Sequence, residues 1–449
     1  MSDVQPLPSI EPEHVESWVE RHLTGLYSGD ARRSRAFTGG QTAADRALAA
    51  LDIAGYATRR SSVHPVASRG ASKLSPYIRH GLIDLSTVHD HPAVARAEPD
   101  DRTKYRDELL WQEYSRQWYA ALGRQTRRGT VYDRTPSEAA DREREPWPGA
   151  MKCIDATVSE LHDDGWLVNQ TRMWLASHWS VRAGAPWRDG EDEMFRHLLD
   201  GSRAANRQGW QWVVGTSRSR SYGFSRRQVT TRAQAFCDGC AVNQACPIEA
   251  YPESGTARPI EPPPTMSMDM FGPSDARAVS SFDGAPALPR ADAVWITAES
   301  LGDSDPALAA HPGAPVHFVF DEALLTTLQL DGKRLVFLAE CLGDLERRRR
   351  LTVWRGRPVD LFVGAHADLT FAVTHAPVPG FADIVDRIDE TLVIEPWRWL
   401  RPPTPELGDR ISANRFPSFR DWCRLTTPTH PGGDRRSPPV SESDRDSQA

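Results

Sequence analysis

Cys237, Cys240 and Cys246 fall within ten positions as C-x2-C-x5-C followed by Pro247, and Cys153 stands 84 positions upstream in a stretch of helical periodicity. Four thiolates can hold zinc or an iron–sulfur cluster, because a Cys-x-x-Cys turn places two sulfurs on one cation. The x5 gap and remote fourth ligand match neither a standard zinc ribbon nor a standard iron–sulfur loop, and buried cysteines without a metal are the alternative. Cys341 and Cys423 stand alone and are expected to fill core.

Five further segments carry more Trp, Asn, Arg and Gly than a plain helical bundle needs: 70–77 (GASKLSPY), 108–111 (ELLW), 165–173 (GWLVNQTRM), 199–202 (LDGS) and 206–212 (NRQGWQW). Small and hydroxylated residues ahead of a helix, as in the first, can present backbone N–H groups to a phosphate, or can simply cap that helix. Arg172 and Asp200 can form a buried ion pair, while Asn169 and Asn206 offer neutral amides able to read the edge of a heterocycle. Trp187, Trp210 and Trp212 are core or binding anchors, and taken singly each of these polar or aromatic residues is more often structural.

The elements that must position these residues follow from periodicity. Apolar residues at three- and four-residue spacing between about Thr38 and Ala250, as in 105–122, 151–161 and 172–181, predict an almost wholly helical unit over 38–251, preceded by a helical extension over 1–37. Eight prolines between Pro252 and Pro289 remove backbone donors and predict a linker over 252–289. Short β-rich runs at 293–296, 316–320, 351–354 and 369–374, alternating with a helical stretch at 333–349, predict a parallel α/β sheet over 290–403. The polar tail 427–449 is expected to be disordered.

The chain has 449 residues with a net charge of -7, which excludes a uniformly basic nucleic-acid coat but leaves room for local patches. No apolar window is long enough to span a bilayer, and the opening residues lack the layout of a signal peptide, so a cytoplasmic protein with no membrane partner is expected, as a monomer.

In this order and spacing the segments resemble the FAD-binding domain of the DNA photolyase and cryptochrome family, through Tyr56 with Arg60, GASKLSPYIRHG, ELLWQEY, GWLVNQTRM and LLDGSRAANRQGWQW. The second half is then similar to the family's α/β, Rossmann-like antenna domain, which in the family comes first. Here it follows the all-α domain, and 415–422 (RFPSFRDW) resembles the segment that normally leads into the FAD domain, so 404–426 is expected to dock there. The chain reads as a circular permutant of a multidomain fold. Phe236-Cys-Asp-Gly-Cys240 and Ala245-Cys-Pro247, with Cys153, are similar to the ligands of the bacterial photolyases that carry a 4Fe-4S cluster.

The resemblance implies that Tyr56, Ser72, Lys73, Leu74 and Ser75 hold the FAD phosphates and ribityl chain, with Asn206, Ser202 and the Arg172–Asp200 pair beside the ring system. It implies that Glu108, Trp111, Asn169, Met173 and Trp212 line a cavity for a flipped pyrimidine dimer, with Arg60 on the damaged strand. Trp210 and Trp187 match two members of the tryptophan chain that reduces photoexcited flavin. Arg218, Arg220, Arg226, Arg227 and Arg232 form a basic run suited to tracking DNA phosphates. The implied activity is that of a photolyase-like lyase repairing UV-damaged DNA by light-driven electron transfer from reduced FAD. A cryptochrome-like photoreceptor is the alternative, and an iron–sulfur nucleic-acid-binding protein with a vestigial flavin site is a third reading. Three departures from the family pattern stand out: Ser202 replaces an acid, Gln170 an Arg and Ala71 a Thr. Antenna-binding residues are not identifiable, and cyclobutane and (6-4) lesions are not distinguished.

Overall fold

The computed structural model describes residues 4–137, 145–274, 277–279, 290–388 and 392–427. The tail from 428 onward and two stretches of the Pro-rich segment, 275–276 and 280–289, lie outside the described residues.

The described strands are β1 (Gln5–Pro6), β2 (Tyr132–Thr135), β3 (Thr256–Pro259), β4 (Arg277–Val279), β5 (Ala293–Ile296), β6 (Val316–Asp321), β7 (Leu351–Gly356), β8 (Phe371–Thr374) and β9 (Leu392–Glu395). Seven of them form a mixed sheet in the order β1-β7-β6-β5-β8-β9-β4. Its five inner strands are parallel, and β1 and β4 close the edges antiparallel. β5 and β8 are buried at every position, as strands covered on both faces must be. Strand order runs outward from β5 in one direction and from β8 in the other, so it reverses between these two.

Two expectations are corrected. The first 37 residues are not simply helical: Val15–His22 is their α-helix, while β1 pairs with β7 and Trp18 packs against Phe320 at 6.2 Å. Pro6, Pro8 and Pro12 each remove a backbone donor and keep the stretch ahead of that helix extended or tightly turned. The Pro-rich segment is not without elements either, because β3 pairs antiparallel with β2 from the helical unit. The single proline of β3, Pro259, sits at the strand's end.

The helical layer is organised on the helix Pro99–Leu122, which meets the helix Arg203–Val214 on one side and the C-terminal helix Phe419–Thr426 on another. Trp422 of the latter is fully buried and donates through Nε1 to Gln117 Oε1 at 2.7 Å, and the Tyr114 hydroxyl donates to the Pro417 carbonyl at 2.8 Å. The two layers join where strand order reverses. His80 sits between the Ala298 and Leu199 carbonyls at 2.7 and 3.2 Å, Arg79 pairs with Glu299 at 2.7 Å, and a Cβ on Gly302 would meet the Gly81 carbonyl at 2.2 Å. The crevice in which α/β sheets commonly take a ligand here receives residues 79–82 of the helical layer.

Glu113, on the helix Pro99–Leu122, is fully buried beneath the Leu400–Arg401 backbone, and burial pushes its carboxyl up to about 7. The unfolded chain gives up this proton at lower pH than the folded one, so stability falls as pH rises from about 4.5 to about 7 and is then level. Glu113→Gln keeps the acceptor for the Arg401 N–H and is expected to remove this component, worth on the order of 3 kcal/mol at pH 8. Urea melts of both proteins at pH 5.5 and 8 check it, and an unchanged pH slope in the variant would rule it out.

Candidate functional site

Gly55, at a φ of 70°, turns the chain into the short helix Tyr56–Arg59, and the Asp101 carboxylate accepts from the Gly55 and Ala57 N–H groups at 2.7 and 2.8 Å. The Tyr56 ring meets Tyr105 edge-on at 4.9 Å, and burial together with the Glu108 charge holds its phenol well above the usual range. Ser72 faces the Tyr105 phenol. Lys73 adopts a left-handed φ of 56° and places its ammonium 5.7 Å from the Trp166 ring centre. Leu74 is buried, and the Ser75 hydroxyl accepts from Trp166 Nε1 at 2.9 Å. Residues 56 and 72–75 thus lie around the first half of the helix Pro99–Leu122 and the start of 165–173.

Arg172 donates to Asp200 Oδ2 at 2.7 Å and to the Leu167 carbonyl at 3.0 Å. Asp200 Oδ1 is buried and has no protein partner. The Asn206 amide donates to both the Glu191 carbonyl and Glu191 Oε1 at 3.0 Å, and Glu191 also holds Arg203 and Arg207 at 2.8 and 3.2 Å. Glu191 was not singled out in the sequence, where it reads as one acid among several in 189–193. Ser202 caps the helix Arg203–Val214, accepting from the Ala204 N–H at 3.2 Å. A buried carboxylate oxygen lacking a donor, held beside a guanidinium, can accept an N–H from the edge of a heterocycle.

Glu108 lies 3.4 Å from both Arg60 and Lys104. Trp111 is partly exposed and stacks flat on Phe419 at 3.8 Å. Asn169 is exposed at the start of the helix Asn169–Ser177, Met173 is half-buried on the same helix, and Gln170 donates to the Tyr222 hydroxyl at 3.0 Å. Trp212 carries the Arg218 guanidinium on its face at 3.8 Å. Arg220 and Arg227 are exposed, and Arg232 donates to the Ser61 hydroxyl. Arg226 departs from the basic run: it donates to Glu249 at 2.8 Å and to the Asn243 carbonyl at 3.2 Å, and its charge faces Cys237 and Cys246.

Cys153, Cys237, Cys240 and Cys246 line one pocket with Met151, Val229, Phe236, Val242 and Ile248. Among the described residues no three of their sulfurs lie within 4.8 Å of one another. Four thiols around one pocket are a ligand set that suits either a zinc ion or an iron–sulfur cluster. Burial and the neighbouring thiols push Cys153 up to about 12. Arg182 ties this loop to the aromatic core, donating to the Phe224 carbonyl at 3.1 Å and the Pro247 carbonyl at 3.3 Å.

Trp210 is buried, and its nearest indole is Trp179, at 6.5 Å, which in turn meets Trp147 at 4.9 Å. A Cβ on Gly190 would sit 2.3 Å from the Trp210 ring and 2.8 Å from that of Trp179, so this approach requires a glycine. Trp187 is buried at the start of the same helix with Arg188 over its ring at 5.2 Å. Trp179 and Trp147 escaped sequence reasoning because no local motif links them.

Residues 105–238 match the family model described as the FAD binding domain of DNA photolyase. The chain is 31% identical over 230 residues to the deoxyribodipyrimidine photo-lyase of Thermus thermophilus, covering 47% of this chain and 50% of that protein. It is also 31% identical over 209 residues to the enzyme of that name from Salmonella typhimurium, covering 43% and 42%. The cryptochrome of Synechocystis is a structural neighbour at 22% identity and a TM-score of 0.37, covering 46% of each chain. The chain spans about half the length of the curated relatives it matches. Part of the helical layer, residues 105–238, is thus similar to the FAD-binding domain of DNA photolyase. Among the described residues no helix is long and apolar enough to cross a membrane.

Proposed function

We propose that this chain is a light-driven flavoprotein that splits pyrimidine dimers in UV-damaged DNA, with the α/β antenna-like unit placed after the FAD-binding unit by circular permutation. The observation that carries the reading is one surface of the helix Pro99–Leu122, where Glu108 stands between Arg60 and Lys104, one turn from Trp111. Bound FAD would supply the electron on absorbing light. Tyr56 and 72–75 would bind its phosphates and ribityl chain, and Asp200 would accept a ring N–H at its unpartnered oxygen while Arg172 fixes its orientation. Glu108 would hydrogen-bond the damaged base as charge develops there, and Arg60, Arg220 and Arg227 would hold the backbone phosphates. Photolysis of a dimer-containing oligonucleotide, with loss of lesion read by chromatography, tests this. Flavin present but no light-dependent loss of either lesion type would overturn it.

A cryptochrome-like photoreceptor gains support from one feature. Arg218 lies on Trp212 and Phe419 on Trp111, so two aromatic faces on which a flipped base would stack are already covered. That reading retains flavin photoreduction and loses repair.

We also infer a 4Fe-4S cluster on Cys153, Cys237, Cys240 and Cys246, supported by the pocket the four cysteines share and by the C-x2-C-x5-C-P spacing. Anaerobically purified protein should hold about four irons and four sulfides per chain. Cys240→Ala should lose most of both while retaining flavin, and zinc in place of iron in the parent protein would refute the cluster.

Ser202→Asp restores an acid where the family pattern has one. Asp caps a helix as well as Ser does, so folding stability should stay within about 0.5 kcal/mol, while flavin retention on gel filtration increases. Equal or weaker retention would show that Ser202 does not limit binding.

A further inference from the structure

The seam between the helical layer and the sheet holds a second group of ligating side chains, remote in role from the flavin and cysteine sites. His162 lies near the end of the helix Lys152–Asp164, and Glu193 and His197 are one turn apart on the helix Trp187–His197. Each brings one ligand atom to within 4.8 Å of the other two. The histidine rings are 4.3 Å apart, and His162 Nε2 is buried with no protein partner. His197 Nε2 is 3.2 Å from Glu193 Oε1, and its Nδ1 faces Asp331 Oδ2 at 3.1 Å.

We propose that His162, Glu193 and His197 bind a divalent first-row transition ion, with zinc the ion that suits this ligand set. Two imidazoles and one carboxylate form a three-ligand site that leaves a position for water. Asp331 occupies the place of the carboxylate that orients a ligating imidazole through its other nitrogen. The nearby cations are already matched: Lys333 Nζ is held by Asp331 Oδ1 at 2.9 Å, and Arg196 by Glu193 Oε2 at 2.6 Å. Glu193 Oε1 is thus left to His197 Nε2, and His162 Nε2 beside them has no protein partner. The three ligands come from two helices of the helical layer, and Asp331 caps the helix Gly332–Glu346 of the sheet layer. An ion here staples the two layers where their relative position sets the rest of the seam.

The test uses the full-length protein, equilibrated with zinc, desalted and analysed for zinc and iron, beside a His162→Gln/His197→Gln variant. The parent should retain one zinc more than the variant, and zinc should raise only the parent's melting temperature. Cobalt(II) should give d–d bands without thiolate-to-cobalt charge transfer, which separates this site from the cysteines. Equal zinc and equal cobalt spectra in both proteins would overturn the proposal. Should the double variant not fold, His162→Gln alone removes a nitrogen that has no protein partner, and its zinc content decides the question in the same way.

Discussion

Replacing Glu108 by alanine is expected to lower light-driven dimer splitting by on the order of 10- to 100-fold, as loss of one preorganised group facing developing charge does elsewhere, while flavin content and affinity for damaged DNA hold. The split follows from the surroundings. Glu108 balances Arg60 and Lys104, each 3.4 Å away, so its removal takes a negative charge from beside both cations. Phosphate binding then gains or stays level, whereas the electrostatic stabilisation of the reacting base is lost. Glu108→Gln keeps a hydrogen bond without the charge and should fall between. Repair yield per absorbed photon, measured beside a binding titration on the same oligonucleotide, checks the prediction. Unchanged repair in Glu108→Ala would remove Glu108 from the mechanism, and unchanged flavin photoreduction alone would favour the photoreceptor reading.

The residues that could be read from the chain are those whose partners lie close in sequence or on a periodic element. The spacing over 105–122 marks the helix that runs Pro99–Leu122, and the runs at 293–296, 316–320 and 351–354 coincide with β5, β6 and β7. Arg172 with Asp200 is a pair of opposite charges on neighbouring segments and meets at 2.7 Å. What stayed illegible depends on tertiary placement. Arg226 and Arg227 look equivalent in a basic run, yet adjacent helical positions are about 100° apart, which turns one to the cysteine pocket and the other to solvent. Glu191 and Asp101 each bind groups many residues away, through contacts no local pattern encodes. β1 is two residues long and exists only because β7 offers a free edge. The same holds for His162 and His197, which come from separate helices of the helical layer and meet only once those helices pack.

Trp179→Phe is expected to slow photoreduction of bound flavin by at least about tenfold, a barrier change of ~1.4 kcal/mol or more, and to do so as deeply as Trp210→Phe. Trp187→Phe should have the smaller effect. Indoles pass an electron best in near contact, and the near contacts run from Trp210 to Trp179 at 6.5 Å and on to Trp147 at 4.9 Å. Trp210 is buried, whereas Trp179 and Trp147 are half-buried, so the chain leads from the core toward solvent, where a reductant can refill it. Hydrogen bonding supports the direction: Trp210 Nε1 has no protein partner, while Trp179 and Trp147 donate to the Pro186 and Leu175 carbonyls at 3.0 Å. An oxidised indole that already donates is better stabilised, which draws the electron vacancy outward. Gly190 offers an independent check, because any side chain there must push the Trp210 and Trp179 rings apart. Gly190→Ala should therefore slow photoreduction with both tryptophans still in place. Flavin absorbance under blue light with an added thiol reads all four variants, and a Trp187→Phe protein slower than Trp179→Phe would transfer the route to Trp187.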